Sequence, residues 1–124
     1  MIVFDLDDFK RINDRIGHLG GDAVLTEVAN RIRGVVRATD IACRVGGDEF
    51  AVILPESSRE DAELLADRIA LGIGAQKIEK VGTLKISAGV AEMRQDDTAA
   101  DLFKRADQAL YRAKHAGKAR TVAH

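Results

Sequence analysis

The chain has little of what staples small secreted or metal-rich folds together. Among its 124 residues are one cysteine and three histidines. One cysteine excludes an internal disulfide. Cys43 lies in an apolar run and reads as a small buried hydrophobe, which suits a reducing compartment. His18, His115 and His124 lack zinc-site spacing. His18 reads as a structural loop histidine and the other two as solvated. No apolar run approaches the roughly 20 residues of a membrane span. Net charge is missing too: 19 Lys and Arg against 20 Asp and Glu leave −1. That removes any general electrostatic case for nucleic acid or an anionic membrane as partner, although local basic clusters could still hold a small anion. Met1 leads directly into "IVFDLDDF", too short and too acidic for a signal peptide. Repeats, low-complexity tracts and flexible linkers are absent. The start inside a hydrophobic run is that expected of a fragment or truncated domain.

What is present is an ordinary globular composition, 46% hydrophobic and 31% charged. The length fits one domain with a real core. "MIVF" predicts a buried strand ending at Asp5. The next segment, "DLDDFKRINDRIGHLGGD", reads as a loop in which Gly17, Gly20 and Gly21 break any long helix. From Asp22 a helical stripe begins: Val24, Leu25, Val28, Ile32, Val35 and Val36. "IACRV" and "FAVIL" read as two core strands joined by Gly-Gly-Asp-Glu, a hairpin signal. Pro55 ends the second. Ser57 with Glu60 predicts a capping box before a helix over about 58–73. "LKISAGVAEM" predicts a central strand. Thr98 with Asp101 caps a last helix, whose inner face carries Leu102, Phe103, Ala106, Ala109, Leu110 and Ala113, and Gly117 stops it. "ARTVAH" closes as a short strand. The order strand, helix, strand, strand, helix, strand, helix, strand predicts an α+β sandwich of ferredoxin-like type. Its sheet is antiparallel, with the helices most simply on one face.

Asp5 ends the first strand, while Asp48 and Glu49 occupy the hairpin turn. If these elements pair, the acids converge at one sheet edge. A fold that gathers like charges usually supplies a cation. Hard oxygens without histidine or thiolate favour Mg²⁺ or Mn²⁺. Mg²⁺ shares its remaining positions with water and phosphates, and glycines let backbone approach a large anion. The set therefore suits a nucleoside triphosphate. The plainer reading is a solvated turn with glycines for geometry.

The residues also match a family. "RVGGDEF", "FDLDDFKRINDRIGHLGGD", "ISAGVA" and "ADQALYRAKHAGK" stand in order over nearly the whole chain. They resemble the four blocks of the GGDEF domain, the diguanylate cyclase family. The resemblance implies a nucleotide-cyclase-like fold over residues 1–124. It also implies condensation of two GTP into cyclic di-GMP by a metal-dependent homodimer, with a sensor or regulatory domain in the full-length protein and a cytoplasmic location even if that protein is membrane-anchored. The alternative is a catalytically silent module of the same fold that binds cyclic di-GMP or GTP as a receptor. By this likeness Asp5, Asp48 and the Leu6 carbonyl hold metal. Asp48, Glu49 and Lys10 serve catalysis, Glu49 supporting the metals or the attacking hydroxyl and Lys10 contacting the terminal phosphates. Lys114 and Lys118 lie near the same phosphates, Asn13 and Asp22 read guanine, and Gly46 and Gly47 lie against the nucleotide. Arg37 and Asp40, in "RATD", resemble the R-x-x-D inhibitory site for product, with Arg68 as a second arginine.

On the residues alone, Lys114 and Lys118 equally suit a helix C-terminus, Asp22 an N-cap, or both roles at once, and Asn13 a turn. Arg11 and Asp14 read as solvated. The chain departs from the family in two ways. The family's upstream L-T-x-L-x-N-R segment is missing. Lys118 and Ala119 stand where the family has arginine and asparagine; lysine keeps the charge and loses the bidentate fork.

Overall fold

A computed structural model describes residues 1–124. Its elements are β1 (Ile2–Leu6), α1 (Phe9–Arg33), β2 (Ile41–Gly46), β3 (Glu49–Ile53), α2 (Arg59–Gly74), β4 (Ile86–Val90), α3 (Ala99–His115) and β5 (Thr121–Ala123). The sheet order is β2-β3-β1-β4-β5. Its first four strands pair antiparallel and reproduce the ferredoxin-like arrangement; β5 joins β4 in parallel.

β1 lies in the middle of the sheet and is buried along its whole length. Alternation splits its side chains between two cores. Ile2, Phe4 and Leu6 face the larger one, with Val28 and Ile32 of α1 and Leu65 and Ile69 of α2. Val3 faces the other, with Ala51, Ala106 and Leu110. The helices therefore cover both faces, not one: α1 and α2 take one side and α3 the other. α3 approaches closely because β4 carries Gly89. A Cβ there would fall 2.1 Å from the Ala106 carbonyl oxygen and 2.2 Å from the Leu110 nitrogen.

Four further expectations change. The segment after β1 is helical, not a loop, and α1 starts at Phe9. Only Gly17 departs from helical geometry, at φ 80°, ψ 169°, and kinks the helix. Gly21 stays helical and is buried against Phe9 and Asn13. Asp22 consequently sits inside the helix and caps nothing, and Val35 and Val36 lie beyond its end. Secondly, β2 is an exposed edge strand rather than a core strand. Cys43 is exposed. It pairs with Ala51, and Ile41 with Ile53, on the face whose core ends at Ala51 of β3; Ile41 remains 55% exposed. Thirdly, the capping box of α2 is Ser58 with Asp61, not Ser57 with Glu60. Fourthly, β4 is an interior strand, but the centre of the sheet is β1. The Thr98–Asp101 box and the stop near Gly117, at φ 116°, are as expected.

Candidate active site

Pairing of β1 with β3 sets Asp5 directly across from Glu49. The hairpin places Asp48 one residue away, in a two-residue turn whose first member, Gly47, has φ 52°. Arg44 steadies the turn: its Nε donates to the Gly47 carbonyl at 2.8 Å. Gly47 is explained by its left-handed backbone. Gly46 is not, since a Cβ there would meet nothing within 4 Å. Nothing in the chain itself demands a glycine at that position, and the space over the turn is open.

Asp5 is 9% exposed. Lys114, from α3, lies 2.7 Å from its Oδ1. Burial is the main cause that lifts the Asp5 pKa above the ordinary carboxylate value; Asp48 and Asp7 lift it further, and Lys114 opposes them. Glu49 is shifted the same way, first by burial, then by Asp107, Asp5 and Asp48. The acids thus form one electrostatic group. Each charge raises the free energy of the next, and a single ammonium offsets them.

Two members of this edge were not anticipated from the sequence. Asp7 accepts from Ser87 Oγ at 2.6 Å and from the Ala119 N–H at 2.9 Å. It fastens the end of β1 to the loop carrying Lys118. The signal was the alternation in "DLDD", which puts Asp7 on the same side as Asp5. Asp107 acts on Glu49 from α3. It lies seven residues before Lys114, two helical turns along the same face.

Lys118 follows α3 at φ 64° and pairs with Asp8 at 2.7 Å. Hydrogen bonding in that pair lowers the Asp8 pKa and raises that of Lys118. Lys10, in the first turn of α1, is exposed. The structure therefore gathers Asp5, Asp48, Glu49 and Lys114 at one edge, with Leu6 ending β1 and Lys118 in the adjoining loop.

Asn13 and Asp22 belong to α1. A Cβ on Gly21 would sit 1.7 Å from Asn13 Oδ1, so the glycine makes room for the amide beside Asp22. That Oδ1 is buried and has no donor, an orphan acceptor of the kind that calls for a ligand or water. Asp22 lines a cleft of 420 Å³ between α1 and the β2–β3 hairpin, with Leu25 and Phe50 on its walls.

Arg37 and Asp40 meet in a fork. Arg37 Nη2 donates to Asp40 Oδ1 at 2.9 Å, and the Arg37 N–H to Oδ2 at 2.8 Å. Ser57 Oγ accepts a further bond from Nη2 at 3.0 Å. The arginine side chain is 51% exposed and the aspartate fully covered. Arg68 is exposed on α2, nine residues from its start and so roughly 14 Å along the helix. It does not join the fork.

No group of three or more His, Cys, Asp and Glu side chains is arranged to hold a metal ion. Two carboxylates and a backbone carbonyl, the set the resemblance implies, are oxygen donors of the kind a hard ion takes while keeping waters and phosphate oxygens in its remaining positions. No helix is long and apolar enough to cross a membrane.

Comparison with known proteins agrees with this geometry. The family model "Diguanylate cyclase, GGDEF domain" matches residues 1–120. Diguanylate cyclase DgcP of Pseudomonas aeruginosa is 42% identical over 123 residues, covering 97% of this chain and 18% of that protein. Response regulator PleD of Caulobacter vibrioides is 41% identical, covering 94% of this chain and 27% of its own length. The chain thus spans about a quarter or less of these two curated relatives. Among solved structures, the GGDEF domain of DgcB from Caulobacter crescentus, in complex with c-di-GMP, superposes with a TM-score of 0.94 at 32% identity, covering 98% of this chain and 75% of that one. The active GGEEF domain of a diguanylate cyclase from Vibrio cholerae gives 0.90 at 36%, covering 98% and 80%. By motif order, strand register and superposition together, the chain belongs to the GGDEF domain family of diguanylate cyclases.

Proposed function

We propose that residues 1–124 form the catalytic domain of a diguanylate cyclase that joins two GTP molecules into cyclic di-GMP and releases two pyrophosphates. The observation that carries this is the register of Asp5 against Glu49, with Asp48 in the adjoining turn and Lys114 2.7 Å from Asp5. Such an arrangement concentrates negative charge and leaves an open glycine edge above it, which suits a metal-bound triphosphate.

In this reading Asn13 and Asp22 hold guanine. A carboxylate accepts from the base N1–H and amino group, and an amide serves the remaining edge. Lys10, Lys114 and Lys118 neutralise the terminal phosphates, so that charge on the departing pyrophosphate is stabilised. Gly46 and Gly47 keep side chains away from the nucleotide. Asp5, Asp48 and the Leu6 carbonyl would hold Mg²⁺ or Mn²⁺. Bound there, the ion supplies Lewis-acid polarisation of the phosphate and lowers the pKa of the attacking hydroxyl. Lys114 then exchanges its partner, giving up Asp5 for phosphate oxygens. Glu49 lies beside the site with a raised pKa, suited to accepting a proton from the 3′-hydroxyl that attacks the facing α-phosphorus. Each 3′-oxygen forms one P–O bond as one pyrophosphate leaves. Because each nucleotide supplies both a nucleophile and an electrophile, two domains must face one another, so the working unit is a homodimer.

Arg37 is held ready by Asp40 and Ser57. A half-exposed guanidinium whose orientation is already fixed suits a phosphate or a guanine face. We assign it to inhibition by the product, with Arg68 contributing from α2 if the ligand bridges α2 and the turn before β2. GTP places the reaction in the cytoplasm, and the longer relatives point to a regulatory domain elsewhere in the full-length protein.

The test is incubation of the chain with GTP and Mg²⁺, with nucleotides separated by chromatography. Cyclic di-GMP that appears with wild type and is absent with Asp48→Ala supports the cyclase. Tight binding of cyclic di-GMP at Arg37 without any turnover, at protein concentrations that drive dimerisation, would replace it with the receptor reading.

A further inference from the structure

A second charged cleft lies on the other flank of the Asp7–Asp8 loop. It has a volume of 240 Å³ and carries Arg11 and Arg15 from α1, Lys80 and Lys85 from the segment before β4, and Asp7 and Asp8 at its inner end. The chain as a whole has a net charge of −1, so four cations in one small cleft are a local surplus. The two acids offset only part of it: Asp8 is already paired with Lys118, and Asp7, whose oxygens accept from the neutral donors Ser87 Oγ and Ala119 N–H, balances at most one of the four. None of the four cations takes part in any of the chain's seven ion pairs.

Their placement is fixed by backbone. Arg11 and Arg15 are one helical turn apart on α1 and share a face. Lys80, at φ 68°, tips a tight turn closed by reciprocal Ile78 and Gly82 hydrogen bonds at 2.9 and 2.8 Å. Lys85 is tied to the site loop, since its carbonyl accepts from the Asp7 N–H at 2.9 Å. Water screens exposed charges well enough for such a cluster to fold unliganded. The cluster therefore costs little and remains available to an anion. Two guanidinium forks and two ammonium groups match the oxygens of a diphosphate better than a single carboxylate, which has only two.

We propose that this cleft binds a diphosphate-class anion, beside the acidic edge and separate from it. Two sources share that chemistry: pyrophosphate leaving the proposed cyclase reaction, and the phosphate chain of a free nucleotide. Only the first source rests on the cyclase reading. The Asp8–Lys118 pair borders both the cleft and the Lys118 loop, so the path from one site to the other is short.

The experiment is a titration of the ¹⁵N-labelled chain with inorganic pyrophosphate in metal-free buffer, read by backbone amide shifts. The expected result is saturable movement of the Arg11, Arg15, Lys80 and Lys85 amides. It should persist in Lys114→Ala and weaken at least tenfold in Kd in Arg15→Gln/Lys80→Gln. Circular dichroism verifies the fold of the double variant, and Lys85→Gln alone serves if it is unfolded. Shifts confined to residues 9–10 and 114–118, or a double variant that binds as wild type does, would overturn the site. A parallel GDP titration separates the sources. Tighter binding of GDP at the same amides assigns the cleft to nucleotide, and tighter binding of pyrophosphate assigns it to the leaving group. The two proposals fail separately: a chain without turnover that still shows these shifts keeps the cleft, and an active chain that lacks them keeps only the cyclase.

Discussion

Asp5 and Glu49 are register partners on neighbouring strands, so two carboxylates stand side by side at the end of a buried sheet with one lysine between them and neutrality. Like charges directly opposite in a sheet weaken it. Both acids have raised pKa values, with burial as the first cause. A carboxyl whose folded pKa exceeds its unfolded value binds more protons in the native state. Its ionisation therefore costs stability as pH rises from about 4 through the raised value. The edge is a place where stability has been traded for charge.

The direct consequence is that Asp5→Asn should stabilise the metal-free chain at pH 7 by about 1 kcal/mol, while product formation falls by two orders of magnitude or more. Lys114 is one-third exposed and stays hydrated without its partner. Thermal unfolding between pH 4 and 8 checks it: the advantage of the variant should shrink toward pH 4, where the wild-type carboxyl takes up its proton. A variant less stable than wild type across that whole range would contradict this account of the edge.

Gly21→Ala tests the guanine side. The new Cβ would fall 1.7 Å from Asn13 Oδ1, and the obstacle is a side-chain end that can rotate. Stability should change by less than about 1 kcal/mol, since alanine also favours the helix. The KM for GTP should rise about tenfold because the amide is displaced from the base. Steady-state kinetics together with a denaturation curve separate the two effects. An unaltered KM would detach Asn13 from nucleotide recognition.

The sequence disclosed the chemistry of this edge better than its surroundings. The convergence of Asp5, Asp48 and Glu49 is legible because strand pairing sets a strand-end acid beside a hairpin turn, whereas Lys114 enters only through the family resemblance. β2 was misread because Ile41, Cys43 and Val45 have the composition of a core strand, and strand composition does not say whether a helix lies over it. α1 was cut at its glycines because propensity treats each as a breaker, while Gly20 and Gly21 are held helical by packing against Ile16 and Asn13. Asp7 and Asp107 escaped because Asp7 depends on a partner 112 residues away in the chain and Asp107 reaches across from α3 to Glu49 on β3.

On the proposed reading of Arg37 as the inhibitory-site arginine, Arg37→Ala should relieve inhibition by cyclic di-GMP. The variant loses the guanidinium that faces solvent, while Asp40 keeps its bond from the residue-37 N–H. Cyclic di-GMP should bind at least tenfold more weakly by calorimetry. Progress curves should stay linear past the product level at which wild type bends. Wild-type affinity in the variant would remove this arginine from product recognition, and Arg68→Ala in parallel reports whether α2 takes part.

Gly89→Ala examines how far the site depends on the seating of α3. Here the obstruction is backbone, at 2.1 and 2.2 Å from Ala106 and Leu110, and neither atom can rotate away. The helix must lift from β4, which opens the small core formed by Val3, Ala51, Ala106 and Leu110. Overpacking of this kind costs about 3 kcal/mol or more, a large share of a small domain's stability. Lys114 rides on that helix and reaches Asp5 at 2.7 Å, so a small displacement at Gly89 becomes a lost ion pair at the acidic edge. The variant should unfold at markedly lower denaturant, and its folded fraction should show a weaker response to GTP than an equally destabilised Val28→Ala variant in the other core. Equal nucleotide affinity in the two variants would mean that α3 supports the fold but does not set the geometry of the site.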